Sequence, residues 1–145
     1  MYVKQISVYL ENLRGTLRHV TKLMGDAGID IMALSIADTA NFGIVRFIVR
    51  EAEIDNALNV LKEAGCPARI NNVICVCVSN KPSGLDEVLA VLEDSDISIE
   101  YLYSFNYSAD GQALLIFRLS DEAEGMKLFS EKGVRVFTQE EVNAL

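Results

Sequence analysis

Residues in this chain recur at a constant offset of 68 positions, and no gap is needed to see it. Ile6 falls on Ile74, Val8 on Val76, Asn12 on Asn80, Leu17 on Leu85 and Val20 on Val88. Ile29 falls on Ile97, Ile31 on Ile99, Leu34 on Leu102 and Gly43 on Gly111. Ile48 falls on Ile116, Arg50 on Arg118 and Gly65 on Gly133. Internal identity at one fixed period marks a duplicated structural unit. The 145 residues therefore have to be explained as two copies of one small fold, 1–71 and 72–145, with their boundary near Asn71-Asn72.

The first copy opens with alternation. Ile6, Val8 and Leu10 share one side of an extended segment from Gln5 to Leu10, which predicts a strand. A turn through Asn12 and Gly15 follows. From Thr16 to Ala27, Leu17, Val20, Leu23, Met24 and Ala27 form one stripe of a helix, and Gly28 suits its end. Ile29 to Ala37 reads as a second strand and Ile44 to Arg50 as a third, joined across Asp38-Thr39-Ala40-Asn41-Phe42-Gly43 as an antiparallel hairpin. Ala52 to Ala64 is a second helix with Gly65 as its stop, and Ala68 to Ile70 a short fourth strand. The order is βαββαβ.

The second copy repeats it. Strands are expected at Val73–Val78, Ile97–Phe105, Gln112–Leu119 and Val134–Phe137, with helices at Ser83–Leu92 and Asp121–Lys132. Thr138-Gln139-Glu140-Glu141 has capping-box spacing and predicts a short terminal helix. Almost no linker separates the copies, so they should be held close. Several strands are apolar on both faces, Val73, Cys75 and Cys77 alternating with Ile74, Val76 and Val78. Two helices per copy cover only one face of a sheet, so the other is expected to meet a sheet or a second subunit.

Charge removes some functional classes. The net charge is -8, with no run of Lys or Arg to offset it. Such a chain repels polyanions, so nucleic acid is not an expected partner. No apolar run approaches the roughly 20 residues of a membrane helix, so no membrane partner is expected. Met1-Tyr2-Val3-Lys4-Gln5 lacks the basic and apolar regions of a secretory leader. The three cysteines are Cys66, Cys75 and Cys77, and an odd count fits a reducing, cytoplasmic setting. With His19 as the sole histidine they form no metal-binding pattern, and neither a metal nor another cofactor is expected.

The two turns carry the most specific pattern. Asn12-Leu13-Arg14-Gly15-Thr16-Leu17 with Gly28-Ile29-Asp30-Ile31, and Asn80-Lys81-Pro82-Ser83-Gly84-Leu85 with Asp96-Ile97-Ser98-Ile99, resemble the ACT domain, a small-ligand regulatory module of amino-acid metabolism. The resemblance covers essentially the whole chain as two copies, with no catalytic domain attached. It implies an α+β fold of two ferredoxin-like βαββαβ units in tandem, antiparallel sheets with helices on one face. It also implies a non-catalytic regulatory protein that binds a free amino acid at the seam between ACT-like units. A homodimer is the expected assembly, with a metabolic enzyme as a candidate target.

The resemblance places the ligand against Asn12, Leu13, Arg14, Gly15, Thr16, Asp30 and Ile31 in the first copy, and against Asn80, Ser83, Gly84, Leu85 and Ser98 in the second. That location has a physical basis. N–H groups at a helix start are unsatisfied and the helix dipole favours an anion there, so a ligand α-carboxylate answers both. A glycine in the turn lets the ligand approach the backbone. Asp30 or a main-chain carbonyl of the second strand would accept from the α-ammonium. The copies differ here: Asp30 aligns with Ser98, Gly15 with Ser83 and Arg14 with Pro82, which favours the site containing Asp30. Asn12 and Asn80 have a purely structural reading as well, each bonding its own turn.

Other classes fit less well. Phe42-Gly43-Ile44-Val45-Arg46-Phe47 resembles part of an RNA-recognition strand motif, but the preceding basic residue and glycine are Ala40 and Asn41. Arg14 sits where an acylphosphatase has its phosphate-binding arginine, yet the glycine-rich cradle is missing. No nucleophile–base motif is evident, so no catalytic residues are expected. His19 lies off the apolar stripe and reads as a surface residue. A protein–protein regulatory module without a metabolite ligand is the alternative to the sensor.

Overall fold

The computed structural model describes residues 1–11, 13–38 and 42–145. They fall into two compact units, Lys4–Asn71 and Met1–Val3 with Asn72–Leu145. Residues 39–41 of the turn expected over 38–43 lie outside the described residues.

The Lys4–Asn71 unit contains β1 (Val3–Glu11, all but its first residue), α1 (Thr16–Asp26), β2 (Ala33–Asp38), β3 (Phe42–Ile48), α2 (Ile54–Glu63) and the start of β4 (Ala68–Ser79). Its strands lie in the order β2-β3-β1-β4. β3 pairs antiparallel with both neighbours: Ile6 lies opposite Phe47 and Glu11 opposite Phe42, while Ala33 lies opposite Ile48 and Asp38 opposite Gly43. This register puts Ile6, Val8, Leu10, Val45 and Phe47 on one face, where they pack against Val20 and Met24 of α1 and Ile54, Ala57 and Leu61 of α2. Burying each such large side chain contributes about 1.5–3 kcal/mol, enough to drive a unit this small.

β2 starts later than its apolar alternation suggests. Ile29 is buried and Ile31 packs against the same core, but strand pairing begins only at Met32, whose N–H donates to the Ile48 carbonyl at 2.9 Å. Ile29 and Ile31 are thus core residues of a connection.

The other unit holds the rest of β4, α3 (Gly84–Leu89), β5 (Ile99–Ala109), β6 (Gln112–Leu119), α4 (Glu122–Glu131), β7 (Val136–Phe137) and α5 (Gln139–Asn143). The helix expected over 83–92 is shorter, because Ala90–Leu92 tightens into a 3₁₀ turn. The order β7-β4-β6-β5 repeats that of the other unit. Ile74, Val76, Phe117 and Leu119 meet Val88, Leu92 and Phe129 in the core, with Tyr2 packed against it. Phe117 and Phe129 meet edge to face, centroids 6.0 Å apart. Val73, Cys75, Leu114 and Ile116, on the opposite face, are fully buried too.

The strands expected at 68–70 and 73–78 are one continuous strand, β4, that passes from one unit into the other. α5 carries the capping box: Thr138 Oγ1 accepts from the Glu141 N–H at 3.2 Å, and the Glu141 carboxylate accepts from the Thr138 N–H at 2.7 Å. The architecture is two ferredoxin-like βαββαβ units in tandem, antiparallel sheets with helices on one face. No described helix is long and apolar enough to cross a membrane.

Candidate functional site

The turn after β1 closes on itself with main-chain and hydroxyl bonds. The Leu13 N–H donates to the Glu11 carbonyl at 2.8 Å. Thr16 Oγ1 donates to the Glu11 carbonyl at 3.1 Å and the Leu13 carbonyl at 2.9 Å. Gly15 holds φ at 88° with nothing within 4 Å of where a Cβ would stand. Leu13 and Arg14 are exposed, and Asn12 lies outside the described residues.

With Thr16 occupied in the turn, α1 starts bare. Among the described residues no side chain caps it, and no acidic residue stands in its first turn. The Thr16 N–H donates to the Leu13 carbonyl at 3.3 Å, which leaves the N–H groups of Leu17 and Arg18 at the positive end of the helix dipole. Beside them is a depression of about 290 Å³. Leu10 and Glu11 of β1, Leu13, Gly15, and Thr16, Leu17 and Arg18 of α1 form one side. Ile36 of β2 and Gly43 and Val45 of β3 form the other. Among the described residues, the Glu11 carboxylate and the Arg18 guanidinium have no ion-pair partner.

Three other hollows differ in chemistry. Two, of about 450 and 500 Å³, each offer one cation, Lys62 or Lys127, and no carboxylate. A third, of about 320 Å³, sets Lys132 against Glu87 and Asp94, and its helix start at α3 already carries carboxylates. Of these four, the depression at α1 is the one that lies at a helix start without an acidic first turn, with Arg18 and the end of β1 at Glu11 among its lining residues.

The second turn has the same path and different chemistry. Ser83 holds φ at 68°, so it keeps the left-handed conformation of the aligned Gly15 although it is not glycine. Gly84 is required for another reason: a Cβ there would overlap the Ser79 carbonyl oxygen. The Asn80 amide donates to the Ser108 hydroxyl at 3.0 Å, and its N–H to the Gly111 carbonyl at 2.8 Å, tying the turn to the β5–β6 hairpin. Asp86 and Glu87 stand in the first turn of α3, and Lys81 pairs with Glu87 at 3.1 Å. The positive helix start is answered by the chain's own carboxylates. Leu85 is 38 % exposed.

Asp30, Ile31 and Ser98 lie elsewhere. α1 has 11 residues and so spans about 16 Å. Asp30 follows its far end from Gly15 and pairs with Arg50 at 3.3 Å, while Ile31 packs into the core. The Ser98 N–H donates to the Ser120 hydroxyl at 3.0 Å. Within the Lys4–Asn71 unit, then, Leu13, Gly15 and Thr16 come together, and Asp30 and Ile31 do not join them. Glu11, Arg18 and Ile36 are additions to the residues the turn motif names. The strand order that lays the ends of β2 and β3 beside the first turn is the signal that brings them in. No cluster of potential metal ligands occurs among the described residues.

The sequence model of the ACT domain pair matches residues 1–144. The chain belongs to the ACT domain pair family. Among solved structures, this ACT pair is similar to a protein from Bacteroides thetaiotaomicron, with 32 % identity, a TM-score of 0.88, and coverage of 100 % of this chain and 98 % of that one. It shares its fold with the ligand-free regulatory subunit of aspartate kinase from Thermus thermophilus, at 14 % identity and TM-score 0.62, over 88 % of this chain and 91 % of the other. Aspartokinase III of E. coli, in complex with lysine and aspartate, matches at 19 % identity and TM-score 0.51, over 90 % of the ACT pair and 31 % of the kinase. No curated protein matches this ACT pair.

Proposed function

We propose that this ACT pair, with residues 1–71 and 72–145 as its two copies, is a non-catalytic sensor that binds a free amino acid at the turn between β1 and α1. The observation that carries this reading is the uncapped start of α1 opening onto a depression that also holds Glu11 and Arg18. The α-carboxylate sits at the first-turn N–H groups and Arg18, where the dipole and a charge-assisted bond act together. The α-ammonium faces Glu11. The kinship with regulatory subunits of an amino-acid pathway kinase supports a small-molecule effector.

A homodimer belongs to the same reading. Leu13, Ile36 and Phe42 are 61 %, 48 % and 55 % exposed. Leu13 and Ile36 line the depression, and a second copy covering them would make the seam at which the ligand is enclosed. Cys66, Cys75 and Cys77 are free thiols, which suits a cytoplasmic protein. The rival reading, regulation by protein contact alone, uses the same exposed residues but gives no ligand response.

Thermal-shift and calorimetric titration against the twenty amino acids test it. A ligand at 100 times its Kd adds about 2.7 kcal/mol to stability, a shift any melting curve resolves. If no amino acid moves the transition, the sensor reading fails.

A further inference from the structure

We infer that the amino acid taken at this turn carries a branched aliphatic side chain. This rests on the sensor reading and narrows it, and it comes from the walls of the depression. Leu10, Leu13, Leu17, Ile36 and Val45 supply hydrocarbon from three strands, a turn and a helix. The polar groups there are few, and each has a task. Glu11 and Arg18 answer the two charges every amino acid carries. The Thr16 hydroxyl donates to main-chain carbonyls within the turn. Among the described lining residues no polar side chain remains to bond a polar or charged ligand side chain, which would be taken from water against leucine and valine without a partner, a costly transfer.

The volume points the same way. The depression holds about 290 Å³, at the small end for ligand sites. No aromatic ring among the described residues lines it to stack on a larger side chain.

The second copy provides an internal contrast. At the offset of 68, Leu13 is replaced by Lys81, Ile36 by Ser104, Val45 by Ala113 and Arg18 by Asp86. Leu10 and Leu17 keep aliphatic counterparts in Val78 and Leu85, so what is particular to the first copy is hydrocarbon at positions 13, 36 and 45 and the cation at position 18.

The test titrates the full chain with L-leucine, L-isoleucine, L-valine, L-alanine, L-lysine, L-aspartate and L-phenylalanine. One of the three branched aliphatic residues should bind tightest, and L-alanine at least about tenfold more weakly, since a single methylene in an apolar pocket discriminates by about tenfold or more. Tightest binding of alanine, lysine, aspartate or phenylalanine overturns the inference and leaves the sensor reading standing; no binding by any amino acid removes both. Ile36→Asn gives a second arm, because an edge-strand side chain 48 % exposed can be replaced without unfolding. It should weaken binding of the tightest branched ligand about tenfold with an unchanged melting temperature and unchanged L-alanine affinity. Unchanged affinity for the branched ligand, or an equal loss for alanine, overturns the assignment.

Discussion

Gly84 sits so close to the Ser79 carbonyl that a β-carbon on it would overlap the oxygen. Its neighbour Ser83 takes up the left-handed turn that glycine provides in the first copy, where Gly15 has open space around it. The two turns therefore use glycine for different purposes, one for conformation and one for close approach.

Substitution separates them. Gly84→Ala forces backbone apart and should cost about 3 kcal/mol, the upper range for overpacking. Gly15→Ala meets no atom and should cost about 1 kcal/mol for its positive φ. Urea denaturation of both variants checks the order; equal losses would remove the distinction.

The terminal cap links stability to pH. The Glu141 carboxyl is held below its ordinary value first by the Thr138 N–H, which outweighs an opposing desolvation, with the Thr138 hydroxyl and Arg135 adding to it. A lowered folded value means stability that is fully present above the ordinary value of 4.5 and is lost as pH falls through the folded one. Thr138→Ala should cost about 1 kcal/mol at pH 7, whereas Glu141→Gln, which removes the titrating group itself, should flatten the acid limb of the stability curve below pH 4.5. Denaturation at pH 7 and pH 3 reads both.

How much of this was open to reading from residues alone varies with the kind of feature. The two units, their helices on one face and the cap at Thr138 follow from spacings that recur, since Ile6, Val8 and Val20 must meet one core just as Ile74, Val76 and Val88 meet the other. Element ends were harder. Ile29 and Ile31 alternate as a strand does, yet they fill the core from a connection, because pairing partners on β3 run out at Ile48. The lining of the depression was half legible. Leu13, Gly15 and Thr16 stand together in sequence and in space, whereas Ile36 reaches the turn only through pairing with β3. Asp30 illustrates the converse: it belongs to the same motif, but a whole helix separates it from Gly15.

Cys75 should resist thiol reagents. Burial above all, then the neighbouring Cys77 and Glu141, pushes its thiol up to about 12, so almost no thiolate exists at pH 8. Iodoacetamide under native conditions should leave Cys75 unlabelled while the half-buried Cys66 reacts, and unfolding should expose it. Native labelling of Cys75 would contradict its burial.

Calorimetry should count one amino acid per chain. Asp86 and Glu87 stand at the start of α3, in the electrostatic role that a ligand carboxylate would take. Two equal sites per chain would mean that these carboxylates do not exclude a ligand.

The start of α1 lacks what α4 and α5 possess. Asp121 accepts from the Glu124 N–H at 3.0 Å, and Thr138 does the same for α5, but no side chain performs that task at Gly15. A carboxylate that seats there acts as a removable residue of the fold, completing the helix when present and leaving it to fray when it departs. On the proposed function, metabolite concentration is written directly into the order of a single helical turn, and amide exchange at Leu17 and Arg18 is where that proposal can be read.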